Sequence, residues 1–206
     1  MRKIISHLLP IFTLTIFFFS GEIKAQNTPV RHITYKGIPL TGSVTHFYNE
    51  LERKEFAPLK EVTGEETKIY HRGVFASYKS IVRTLSTPIT CTVYGTITYI
   101  EEHTGWKEIF KDYSVFKDNL TAVYGKPSYV KEEFQAPYIR NDGYSMKALA
   151  EGKVNYTAEW WLDNGTIKIR IIQLHQGSGC VEIDYMDKEN LILKDTEQTT
   201  IIRNDL

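Results

Sequence analysis

Hydrophobic positions recur along this chain with two different periods, and the switches between them divide it into elements. Trp106, Ile109, Phe110, Tyr113, Phe116, Leu120, Val123 and Tyr124 follow three- and four-residue steps, which puts them on one stripe of a helix. Gly125 stands where a left-handed C-cap is needed, and Pro127 stops any continuation. At the other end, either Thr104 caps a long helix or Asp112 a shorter one. Val44, Phe47, Tyr48 and Leu51 repeat the spacing and predict an earlier helix from about Ser43 to Glu55, capped by Thr41 or Ser43. The run from Glu52 to Glu55 closes it as a solvated face.

Elsewhere the period is two. Ile89, Cys91, Val93, Ile97 and Tyr99 alternate with Thr90, Thr92, Tyr94, Thr96 and Thr98. That pattern predicts a half-buried antiparallel strand with its threonines toward water or a sheet edge. Shorter strands are expected within His32–Leu40 and Ser128–Phe134, and Lys60–Leu85 reads as strands broken at Gly64 and Gly73. Val181, Ile183 and Tyr185 alternate with Cys180, Glu182 and Asp184 in a last strand, after a turn at Gly177 and Gly179. The segment from Lys188 to Leu206 has one apolar patch, Leu191-Ile-Leu193, and reads as a frayed tail.

The sharpest local signal is a hairpin, Asn155 to His175, around Asp163-Asn164-Gly165. With Asn164-Gly165 as a type I′ loop, Leu162 opposes Ile167, Trp160 opposes Ile169 and Ala158 opposes Ile171. The other face pairs Trp161 with Lys168 and Glu159 with Arg170. Trp160 therefore belongs to the core and Trp161 to the polar face. The connection from Gln135 to Lys153 is long, with Pro137, Asn141-Asp-Gly143, Gly152 and a turn of helix near Met146. It is either a lid or partner-contact loop, or a surface insertion.

The order helix, strands, helix, strands defines an α+β class: an antiparallel sheet with two helices packed on one face. Phe47 and Leu51 in the first helix match Phe116 and Leu120 in the second, each pair four apart, which suggests two helix-then-strands halves, about 33–100 and 106–186. By this element order the chain resembles two secreted groups. One is the β-lactamase-inhibitor-protein-like fold, built from repeated helix-then-sheet units; the other comprises small envelope-assembly proteins of similar build. The chain lacks the anchoring cysteine of the lipoprotein members of these groups. Such a likeness implies an architecture and leaves activity open.

The ends and the composition then narrow the setting. Arg2 and Lys3, the apolar run Leu8–Phe19 and Ile23-Lys-Ala25 before Gln26 read as a secretory signal peptide over residues 1–25, cut after Ala25. The apolar run falls short of the roughly 20 residues needed to span a bilayer. Residues 26–206 are then expected to form a single periplasmic or secreted domain. Without Arg2, Lys3, Lys24 and Glu22 the chain carries 22 basic against 24 acidic residues, a balance with no electrostatic footprint for nucleic acid.

Candidate chemistry is sparse. Cys91 and Cys180, the only cysteines, are either a disulfide suited to an oxidising compartment or two free thiols, since the strand pattern sets them on faces of opposite character. His175-Gln-Gly-Ser-Gly-Cys180 puts a thiol near an imidazole, but without nucleophile-elbow spacing it reads as a turn. Glu101, Glu102, His103 and His71 lack metal-site spacing and read as surface residues at strand ends. Glu182 and Asp184 share a strand face about 7 Å apart, a separation that two glycosidase carboxylates also have. Trp161, on a polar face, is either a contact residue for a partner or is covered by the 135–153 segment.

These features favour a non-catalytic binding module without cofactor or metal. It would meet a protein or glycan of the cell envelope through Trp161, Lys168, Glu159 and Arg170. The rivals are a small envelope hydrolase using a carboxylate or thiol, and a structural subunit of an envelope assembly.

Overall fold

The computed structural model describes residues 31–63 and 66–206; the leader and Gly64 lie outside the described residues. A two-stranded hairpin, β1 (Thr34–Tyr35) and β2 (Ile38–Pro39), leads into helix α1 (Val44–Arg53). Four strands follow as a meander: β3 (Ala57–Thr63), β4 (Glu66–Phe75), β5 (Tyr78–Ser86) and β6 (Val93–Ile100). Helix α2 (Trp106–Tyr124) leads to β7 (Tyr129–Phe134), a short helix α3 (Ser145–Ala150), then β8 (Val154–Leu162), β9 (Gly165–Gln173) and β10 (Gly179–Asp187). The chain closes with α4 (Lys188–Asp205). All eight long strands form one antiparallel sheet in the order β3-β4-β5-β6-β10-β9-β8-β7. The expected class, α+β with helices on an antiparallel sheet, is the observed one. The last strand of each meander pairs with the other at the centre, with Glu182 opposite Tyr99 and Met186 opposite Gly95.

The helices form where the apolar spacing places them. In α2, Ile109, Tyr113, Phe116 and Leu120 are buried. Gly125 donates its N–H to Thr121 O at 2.9 Å and ends the helix at φ 83° and ψ −168°, a positive-φ conformation that suits glycine but is not the left-handed cap expected. The N-cap is neither Thr104 nor Asp112 but Gly105, in extended conformation without a side-chain bond. Val123, near the end of the expected stripe, is largely exposed. Ser43 caps α1 by accepting the His46 N–H, and Phe47 and Leu51 face inward. Between helices and sheet lies an aromatic cluster. Tyr35 stacks on Phe75 at 5.3 Å and meets Tyr185 edge-on at 5.7 Å.

Strand β6 reverses its expected faces. Thr96 and Thr98 are fully buried beneath the aromatic cluster, where Thr98 Oγ1 donates to the Tyr35 hydroxyl at 3.3 Å. Ile97 and Tyr99 are half-buried on the opposite face, and residues 87–92 form a loop in which Ile89 and Cys91 are exposed. The physical reason lies in size. Threonine is β-branched and suits a strand, and its small side chain leaves room for the tyrosine rings a longer aliphatic residue would displace.

The hairpin holds its faces but not its register. The loop is Asp163-Asn164, so Leu162 opposes Gly165, Trp160 opposes Ile167 and Ala158 opposes Ile169. That slip of two residues leaves every side chain on the face assigned to it. Gly165 does not take the positive φ of a type I′ turn. It is a close-approach residue instead: a Cβ there would collide with the Met186 carbonyl and lie 3.3 Å from Ile33 Cγ2.

The tail is a helix rather than a frayed end. Asp187, with no exposure to solvent, accepts the Asn190 N–H at 3.0 Å as the N-cap of α4. It also accepts the Ile33 N–H at 3.1 Å, and His32 Nδ1 lies 3.1 Å from the same oxygen. Asn190 Nδ2 donates to Leu40 O and Val93 O, and Glu197 accepts the Ile89 N–H at 2.7 Å and the Thr90 hydroxyl at 2.6 Å. No helix among the described residues is long and apolar enough to cross a membrane.

Asp187→Ala strands the buried Ile33 N–H and uncaps α4. Each unsatisfied group costs about 1–3 kcal/mol and a lost cap about 1. Denaturant unfolding should show a loss of about 3 kcal/mol, with reduced helical signal.

Candidate functional site

Helices α1, α2 and α3 cover one face of the sheet, and strand parity assigns the other face residue by residue. On β8 that open face carries Thr157, Glu159 and Trp161; on β9, Thr166, Lys168 and Arg170; on β10, Cys180, Glu182 and Asp184; on β6, Ile97 and Tyr99. The four residues expected from the sequence as a contact set, Trp161, Lys168, Glu159 and Arg170, therefore lie together.

Their partners follow the observed register rather than the expected one. Glu159 sits opposite Lys168, with its Oε1 3.0 Å from Nζ, and its Oε2 accepts the Trp161 indole N–H at 3.1 Å. Burial opposes ionisation of Glu159, yet the Trp161 and Lys168 hydrogen bonds outweigh it and hold the carboxyl below its usual range. Arg170 turns to β10, where its Nε donates to Glu182 Oε1 at 2.5 Å and its terminal nitrogen binds the same oxygen. The pairs are thus Glu159–Lys168, two residues along β9 from the expected Glu159–Arg170, and Arg170–Glu182, one strand over.

Trp161 is 63% exposed while Trp160, its neighbour, is 1% exposed with its indole N–H donated to Gly125 O. Both polar handles of Trp161 are engaged internally: the indole N–H by Glu159, the backbone N–H by Ser128 Oγ at 3.1 Å. The 135–153 segment does not cover it. Ala148 and Leu149 of α3 are buried beside the start of β8, and Arg140 lies over the Phe110 ring at 5.2 Å, at the opposite end of β8 from Trp161.

The remaining candidates resolve differently. Cys91 and Cys180 are both free thiols. The β6–β10 register sets Cys180 near the level of Glu101, so the length of β6 from Val93 onward, roughly 26 Å at a strand's rise, lies between it and the loop that carries Cys91. Cys180 has no exposure and burial pushes its thiol up to about 12, which leaves no thiolate for a Cys–His hydrolase. His103 Nε2 bonds Asp112 Oδ2 at 2.8 Å and ties the loop before α2 to that helix. His71 is not a surface residue: it is fully buried beneath the Tyr48 ring at 4.7 Å, and neither ring nitrogen has a partner. Desolvation lowers its pKa, against a smaller pull from Glu52. No group of three or more potential ligating side chains converges among the described residues.

The sequence pattern marks Glu182 and Asp184 as one polar face but does not reveal their burial. They are 4% and 8% exposed, because β10 occupies the centre of the sheet with β6 and β9 on either side. Glu182 is matched by Arg170. Asp184 Oδ1 has no partner, and burial first, then the adjacent Glu182, push its carboxyl up to about 7. In the folded state Asp184 therefore stays protonated up to that pH, whereas the unfolded carboxyl ionises near 3.8.

Asp184 thus withdraws stability as pH rises from about 4 to about 7, and nothing further above that range. Asp184→Asn should flatten this part of a stability–pH profile and be more stable than the parent at pH 8, by on the order of 2–4 kcal/mol. Comparison of the chain with protein-family models, with curated proteins and with solved structures finds no match.

Proposed function

We propose that this chain is a non-catalytic binding module of the periplasm or the secreted space, meeting a partner from the cell envelope through its open sheet face. The observation that carries this reading is Trp161. A large aromatic side chain in water is tolerated singly anywhere on a protein, but this one is held by two hydrogen bonds with its ring face free. Glu159 and Lys168 beside it, and Arg170 further along the same face, carry charges already paired within the sheet. An ordered aromatic ring beside neutralised polar groups has the build of an interface hot spot, where Trp and Arg are enriched. The compartment rests on the leader-like residues 1–25.

One observation favours a second reading, a carboxylate hydrolase: Asp184 carries a proton near neutrality while its neighbour Glu182 is salt-bridged, the split that an acid and its companion carboxylate show in glycosidases. Burial argues against it. Asp184 is 8% exposed and its Oδ1 is shut off from solvent, so a scissile bond has no approach to that oxygen.

Trp161→Ala should leave far-UV circular dichroism and thermal unfolding close to the parent, within about 0.5 kcal/mol. Retention of the partner in affinity capture from an envelope extract should fall at least about tenfold, as loss of a hot spot implies. Equal retention by parent and variant removes this face as the contact surface.

A further inference from the structure

We infer that the corner of the fold where Trp161 meets the end of α2 is a binding site for a neutral oligosaccharide; the inference rests on the binding-module reading above and names the class of its ligand. The corner is a hollow of about 710 Å³, whose walls include Trp161, Tyr124, Arg31, Asp163 and Asn164. That volume falls within the range of small-ligand sites.

The chemistry of the walls selects the ligand. Trp161 offers only its ring face, because Glu159 holds the indole N–H. A ligand must therefore present a flat, weakly polar surface to it, as the C–H face of a pyranose does. Around the ring stand a carboxylate, an amide and a guanidinium. All three are planar groups able to make paired hydrogen bonds to vicinal hydroxyls, and together they supply donors and acceptors in similar measure. Arg31 and Asp163 carry opposite charges, the lining His32 is bonded to the Asp187 carboxylate, and Glu159 and Lys168 pair with each other, so the corner carries no excess of one sign to select an anion or a cation.

Two protein-docking modes are disfavoured by the same geometry. Adding a peptide strand requires free backbone groups along an edge, yet the Trp161 N–H is taken by Ser128 Oγ and the Ser128 N–H by Glu159 O. Docking an amphipathic helix requires a continuous apolar groove, and Arg31, Thr34, Asp163 and Asn164 interrupt the apolar walls of Ile33, Tyr124, Trp161 and Leu162 here.

The test titrates the purified protein with chitohexaose, cellohexaose, maltohexaose and xylohexaose, followed by indole ¹⁵N–¹H resonances and calorimetry. The three tryptophans give three indole signals, of which those of Trp106 and Trp160 serve as internal references. At least one oligosaccharide should shift the Trp161 signal selectively. Its affinity should fall at least tenfold in Trp161→Ala and about threefold to tenfold in Asp163→Ala, an exposed loop position that keeps the test valid should the first variant misfold. A Trp161 signal unmoved by all four sugars overturns the inference, as does binding that survives both substitutions. Trp161-dependent capture of an envelope protein with no sugar response overturns the oligosaccharide and leaves the binding-module reading standing; absence of both overturns the two together.

Discussion

Strand β10 has neighbours on both sides and buries the side chains of both its faces, and that placement conditions the rest of the molecule. On one side Val181, Ile183 and Tyr185 meet α2 and the aromatic cluster, where burying each large side chain contributes about 1.5–3 kcal/mol. The other side is forced into the same low-exposure environment although it carries Cys180, Glu182 and Asp184. Arg170 from β9 neutralises one of these groups, and the remaining carboxyl is accommodated by keeping its proton. The central strand is therefore a compromise, with apolar burial on the helix side offsetting a half-satisfied polar row on the open side.

His71 and Asp184 place two such compromises on opposite faces, and their titrations have opposite sense. His71 is held neutral, so its contribution weakens as pH falls below the ordinary imidazole range and the unfolded state takes up the proton. Asp184 acts over an overlapping range in the other direction. Neither group is matched by a charge of its own, and both sit where a side chain of similar shape without ionisable atoms would pack. The stability of the sheet is thus tuned by protonation on the side of α1 and, independently, on the open face.

The parts of this fold that were legible beforehand are those where one period decides the answer. The α2 stripe and the assignment of Trp160 inward and Trp161 outward depend only on steps of 3.6 and 2, and both survive a register error, because a slip of two residues preserves the face. The hairpin loop departs from the expected position because Asn-Gly is ordinarily a turn signal, while here the glycine is required by the neighbouring strand. The threonine face of β6 gives no signal of its burial because threonine suits either side of a sheet. The last helix has no apolar stripe to announce it, because polar bonds through Asp187, Asn190 and Glu197 hold it while Ile192 and Ile202 remain in solvent. At the candidate site, Trp161, Glu159, Lys168 and Arg170 share a face by parity alone. The burial of Glu182 and Asp184 follows from strand order, which local periodicity does not encode.

The pairing of β6 with β10 has a consequence for how the molecule comes into being. Residues 93–100 are synthesised long before residues 179–187, so the first meander must wait with one margin unsatisfied until the second arrives. The Asp187 carboxylate deepens this delay, since it joins Ile33 to a site 154 positions further along the chain. Contacts so far apart in sequence are slow to form, and for the interval before they close, β6 presents open backbone to whatever handles the nascent polypeptide.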